Sequence, residues 1–325
     1  MAAARLTILL ACLGLAISRV GLVVHEVGGH GGAALLFGGR VLEVTFFWFA
    51  GGWIRYTTPS PAEASSLLIQ LGGILAELLL GAAALAVTSW RRSRATRPAR
   101  PARPFGILAL RLAGFLFVVH GLWYAATGIW HGFGDGARLH ELLGEARYPV
   151  AFVLGAALCA LAAVAARQLC LGFAPALPGS SVRRLATVMV AACLAGGLHA
   201  ALTFGEVRLR GDEVYGQTMR TAGERLRDER LARWRAEQAR RGHTVAAAEV
   251  REQTRALTPP RPFPFARVLA LAALLSVLLG AASLRHARFD LDDDDPRALL
   301  SSRNVAGAAC AALLAISAVA LLDVW

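Results

Sequence analysis

The chain has 325 residues, of which 56% are hydrophobic and 17% charged, against roughly 25% charged in a typical soluble domain. The deficit falls in long apolar runs, which excludes a water-soluble globular protein and makes the bilayer the expected solvent. The net charge is +12 and all 34 basic residues are Arg. They cluster beside the apolar runs, which reads as topology and lipid-headgroup contact. No Arg stripe with interleaved aromatics occurs, so no nucleic-acid partner is expected.

The first apolar segment covers residues 6–37. It is longer than the roughly 20 residues one crossing needs. It is either one tilted helix or a span that breaks near Ser18 and Arg19. A signal peptide is not expected, because the apolar pattern continues past a polar string at His25. Gly38 and Gly39 end the segment, as glycine commonly does after a helix. Residues 40–58 are rich in β-branched and aromatic side chains around Gly51 and Gly52. They read as a β-hairpin or re-entrant segment at the membrane face, tolerated at membrane depth only if buried in protein or lining a wet cavity.

A second span is expected over 64–90, then a Pro- and Arg-rich linker over 91–104. The third span covers 105–130. A Gly-rich loop, 131–136, leads to an amphipathic stretch at 137–143. The fourth and fifth spans cover 150–173 and 185–204. Residues 205–262 form one long polar segment, rich in Arg, Glu and Ala, whose charges suit a salt-bridged exposed helix. Pro259 and Pro260 close it. The sixth span covers 265–284. An acidic run at 290–295 precedes the seventh, 305–322.

The fold class is therefore an all-α polytopic membrane protein. About seven spans are expected, with a small hairpin after the first. Three units follow: a membrane core over 1–204, the polar helical loop over 205–262, and two C-terminal spans over 263–325. The linker Arg residues, with Arg183 and Arg184, favour an N-terminus inside the cell. The Arg-rich 205–262 loop argues the other way. Residence in a bacterial cytoplasmic membrane is the expectation. The five cysteines, Cys12, Cys159, Cys170, Cys193 and Cys310, all lie in apolar segments without a Cys-x-x-Cys pair. They read as small core residues.

The informative string is Val24-His25-Glu26-Val27-Gly28-Gly29-His30, inside an apolar helix. Ionisable side chains at membrane depth are costly and are functional candidates by default. Two His and a Glu suggest a zinc site in which imidazoles hold the ion and the carboxylate polarises a bound water. In the usual His-Glu-x-x-His spacing both His share a helix face. Here they are five apart, which on a regular helix separates them by about 140° rather than about 40°. A π-bulge would absorb the extra residue, and Gly28-Gly29 is where the backbone deforms most cheaply. Alternatively Glu26, four before His30, is itself a ligand.

Residues 24–44 resemble the site-2-protease family of intramembrane zinc metallopeptidases, in its compact branch. The resemblance rests on His25-Glu26, Gly29-His30, Ala33-Ala34 and Gly38-Gly39-Arg40-Val41, followed by the β-like segment. The departure is the extra glycine before the second His. The resemblance implies Zn2+ held by His25, His30 and an Asp from a later span. Asp135, followed by Gly136 and by Ala137, Leu139 and Leu142, is the best match; an ordinary solvated Gly-Asp-Gly turn is the other reading. It also implies Glu26 as the catalytic base and a membrane-anchored protein substrate, which the β-like segment could bind as an added strand.

Other residues stay open. His131 and His140 flank Asp135 and are alternative donors. His120 is a ligand, a group supporting one, an oxyanion stabiliser, or a His bonded between helices. Glu77 is similarly open, with Arg111 as one candidate partner, and His199 is expected to serve packing. The leading functional expectation is an intramembrane zinc endopeptidase. The second is an inactive, peptidase-like membrane scaffold. A transporter is a distant third, since no paired broken helices are evident.

Overall fold

The computed structural model describes residues 1–58, 63–93, 105–258, 263–287, 289 and 296–323. The linker beyond 93, the Pro259–Pro260 stop and the acidic run at 290–295 lie outside them.

The long helices of the bundle follow the apolar runs. The first span contains α1 (Ala2–Val23), a π-helical segment (Val24–Gly31) and α2 (Gly32–Leu36), with no break at Ser18 or Arg19. The chain turns at Gly38, whose φ of 75° suits glycine. Strands β1 (Arg40–Phe46) and β2 (Gly52–Thr57) pair antiparallel, with an irregularity between Val41 and Glu43. Then come α3 (Glu63–Ser93), α4 (Phe105–His131), α5 (Ala137–Leu143), α6 (Arg147–Phe173) and α7 (Ser181–Arg210). Three short helices, α8 (Glu213–Thr218), α9 (Ala222–Arg240) and α10 (Ala247–Leu257), build the polar segment. The last two spans are α11 (Phe265–Ala282) and α12 (Ser302–Leu322).

Among the described residues seven helical stretches are long and apolar enough to cross a membrane. The protein is thus an all-α polytopic chain with one small hairpin, as the sequence implies. The fifth helix overruns its expected end and reaches Arg210. In the polar segment, α9 starts with a capping box from Thr221 and Glu224, which satisfies its first free amides.

Two packing groups organise the bundle. Helix α1 packs against α7 and α12, while α3, α4, α6 and α11 pack in sequence, and the π segment lies on α3. A main apolar core gathers Leu6, Leu9, Leu108, Phe173 and Val188 from four helices. A second joins Leu122, Ile129, Leu158 and Phe265. Large apolar residues such as Phe152, Leu209, Leu271 and Leu314 remain exposed, as lipid-facing positions should.

The hairpin turn is held by charge rather than by apolar packing. Arg19, 3% exposed, donates to the carbonyls of Phe47 at 2.7 Å and Phe49 at 3.0 Å. Glu206 accepts from the amides of Trp48, Phe49 and Ala50 at 2.6–2.9 Å. Arg210 donates to the Phe46 carbonyl, and Asp323 accepts from the Phe46 amide. Helices α1 and α7, with Asp323 after α12, thereby satisfy irregular backbone that lipid could not.

Candidate functional site

The site begins with a departure from regular helix. Residues Val24–Gly31 hydrogen-bond in the π pattern, in which each amide reaches five residues back. Residues five apart then stack along one row, and His25 and His30 come together with ring centroids 5.0 Å apart. Both are 6% exposed, as is Glu26.

The π segment runs through Gly28 and Gly29, and Gly29 has a second use in packing. Neither Gly28 nor Gly29 adopts a positive φ. A Cβ on Gly29 would lie 2.5 Å from the Gly72 carbonyl oxygen, and one on Gly73 would lie 2.4 Å from His25 Nε2. Bare backbone at Gly29, Gly72 and Gly73 therefore lets α3 cross the π segment closely enough to bear directly on the imidazoles. Small residues at crossing points of membrane helices have this use.

Helix α3 supplies partners for both rings. His30 Nδ1 donates to the Ile69 carbonyl at 2.7 Å; a carbonyl only accepts, so this nitrogen carries a proton. His25 Nδ1 lies 3.5 Å from Glu77 Oε1, an ion-pair distance rather than an aligned hydrogen bond. The other Glu77 oxygen is 2.9 Å from His120 Nδ1. Glu77 therefore pairs with His25 and His120, not with Arg111, the candidate partner in the sequence. Arg111 instead faces Thr88 and Gln168. The partner stayed open because both residues sit in facing apolar helices, and sequence gives no rotation of one helix about the other.

Asp135 enters on a tight loop after α4. Gly132 and Gly134 hold φ of 68° and 51°, left-handed values that favour glycine. A Cβ on Gly136 would lie 2.3 Å from the Gly128 carbonyl carbon, so the loop can fold onto the end of α4 only without one. Asp135 Oδ2 then lies 3.1 Å from His25 Nε2, and Oδ1 lies 3.3 Å from His30 Nε2. Among the described residues His25, His30 and Asp135 form the group whose ligand atoms lie within 4.8 Å of one another. Glu26 is buried beside them but is not a member of that group.

The remaining sequence candidates divide. His120 joins α4 to α3 through Glu77 and stacks on Tyr124, with centroids 6.2 Å apart. His140 donates Nδ1 to the Ile129 carbonyl at 2.9 Å, and neither it nor His131 belongs to the cluster. His199 approaches Ser18 at 3.5 Å. Sequence reasoning passed over two neighbours. Tyr124 lies 5.7 Å from His25 between ring centroids. Tyr56 on β2 is close enough that burial first, and the Asp135 charge second, push its phenol up. Aromatic residues in an apolar helix or a strand give no local signal of such a position.

With Nδ1 of His30 committed to Ile69, its Nε2 is the nitrogen that faces Asp135. His25 Nε2 faces the same carboxylate, and Asp135 Oδ2 is a buried oxygen without an aligned hydrogen bond. If neither Nε2 carries a proton, these atoms are acceptors, which repel in a dry site unless a proton or a metal ion lies between them. Two imidazoles and a carboxylate are donors of the kind that suit zinc. Comparison of the chain with protein-family models, curated proteins and solved structures finds no match.

Proposed function

We propose that the chain is an intramembrane zinc-dependent endopeptidase of the site-2-protease type, cleaving membrane-anchored protein substrates. The observation that carries this reading is the convergence of His25, His30 and Asp135 ligand atoms at a π-turn, deep in an apolar bundle. Protons on the imidazoles would relieve the facing acceptors one at a time; a single metal ion relieves all of them together.

His25 and His30 would bind through Nε2 and Asp135 through its carboxylate. When bound, zinc supplies Lewis acidity and lowers the pKa of a coordinated water toward neutrality. Glu26 provides the base. Its carboxylate takes a proton as the water oxygen bonds to the peptide carbonyl carbon. It returns that proton to the amide nitrogen as the C–N bond breaks. Burial of all four side chains keeps bulk water from competing. The hairpin packs on the π segment through Val41 and Ile54, which approach Gly31, and a two-stranded sheet leaves an outer edge on each strand. An extended substrate segment can add to such an edge, a few residues from His30.

The test is cleavage of a model single-span substrate by the purified chain in proteoliposomes. Wild-type protein should cleave it, with chelator abolishing and zinc restoring activity. Glu26→Gln should bind zinc yet fail to cleave. If Glu26→Gln cleaves as well as wild type, the peptidase reading is wrong. A protein that binds zinc but cleaves nothing in any lipid would instead be a membrane scaffold.

A further inference from the structure

Resting on that reading of the site, we propose that Glu77 is the positioning residue for His25, and that α3 acts as a template fixing both imidazoles. The geometry repeats about Gly73. Four residues before it, Ile69 offers its carbonyl to His30 Nδ1 at 2.7 Å. Four residues after it, Glu77 offers a carboxylate oxygen to His25 Nδ1 at 3.5 Å. Four residues make about one turn, so one face of α3 presents both acceptors. Each ring faces α3 at Nδ1, His30 through a hydrogen bond and His25 at ion-pair distance, and each turns Nε2 to Asp135.

The carboxylate is costly where it stands. Glu77 is 3% exposed in an apolar helix, and a buried charge is retained only when well paired. Its two partners are imidazoles: the buried His25, and His120, whose side chain is 62% exposed. A packing role would be met by any apolar residue, as at Ile69 and Ile74 on the same helix. A carboxylate behind a metal-binding His fixes the ring's tautomer and orientation and strengthens it as a donor. His120 holds the second oxygen of Glu77 and so steadies the first. The 3.5 Å separation leaves room for His25 to tighten onto Glu77 when Nε2 is engaged.

The test is a competitive zinc titration of the full-length chain in detergent against a chromophoric chelator, beside thermal unfolding of the metal-free protein. Glu77→Leu removes the acceptor and should weaken zinc binding by about 10- to 100-fold. Glu77→Gln keeps size and one acceptor oxygen and should fall between it and wild type. His120→Ala should weaken binding least. A carboxylate serving only the fold would change the unfolding temperature and leave zinc affinity of the folded protein alone. Should Glu77→Leu not fold, Glu77→Gln decides. Unchanged affinity in the folded Glu77 variants overturns the positioning role while leaving the peptidase reading intact. Wild-type protein that binds no zinc overturns both.

Discussion

Two places in this molecule gather several charged side chains, and they resolve them oppositely. At the hairpin turn, Arg19, Glu206, Arg210 and Asp323 each meet backbone or a counter-charge at 2.6–3.0 Å. In the π-turn cluster, Asp135 Oδ2 and His25 Nδ1 lack aligned hydrogen bonds, and two imidazole Nε2 atoms converge on one carboxylate. Charges satisfied from within serve architecture. Metal-ligating side chains brought together without aligned partners are, on the proposed reading, arranged for a metal ion. The contrast then separates charges that hold the fold from charges proposed to perform chemistry.

The largest effects should fall on the π-turn cluster and leave the fold standing. His30→Ala or Asp135→Asn should abolish zinc retention, read as metal per chain after dialysis, with little change in the metal-free unfolding temperature. Glu26→Gln should lower cleavage by roughly 10²- to 10⁴-fold, the usual worth of a general base, while zinc content stays at the wild-type level.

The opposite pattern is expected at the hairpin. Arg19→Met leaves the carbonyls of Phe47 and Phe49 without their donor, at a cost of about 1–3 kcal/mol each. Thermal unfolding in detergent would show it, and folded protein would still bind zinc. If Arg19→Met instead empties the metal site at unchanged stability, the division between the two regions fails.

A smaller effect is expected from Gly29→Ala. Its Cβ would meet the backbone of Gly72 and Gly73 at 2.5 Å and force α3 outward. Overpacking of this kind costs about 1–3 kcal/mol, and zinc affinity should fall as Ile69 and Glu77 withdraw. The smallest effect should come from deleting Gly28. The π-turn exists to absorb one residue. The deletion leaves His-Glu-Val-Gly-His on a regular helix, with both His still in one row. Zinc titration of the deletion variant should resemble wild type, and a lost site would show that the π geometry itself is required.

Much of this was legible locally. Long apolar runs pointed to the spans, and a predominance of β-branched and aromatic residues around Gly51 and Gly52 pointed to the hairpin. The five-residue spacing of His25 and His30 pointed to a π-turn, because no regular helix could otherwise bring them together. What sequence withheld was tertiary. The Arg19–Glu206 clamp joins helices 187 positions apart by way of a hairpin that neither residue neighbours in sequence. Glu77 was visible as an ionisable residue in a span, but its partner depended on how α3 rotates against the π segment. Gly29 was noticed for its flexibility, yet its missing Cβ matters for a contact with Gly72 forty-three residues later.

X-ray absorption at the zinc edge of the purified full-length protein probes the cluster most directly. Two imidazole nitrogens and one carboxylate should appear at about 2.0–2.2 Å, with an oxygen in the remaining position, and Asp135→Asn should lose that signal. Protein that carries no zinc when purified with the metal present, or a spectrum of purely solvent-like oxygen ligands unchanged by Asp135→Asn, would contradict it.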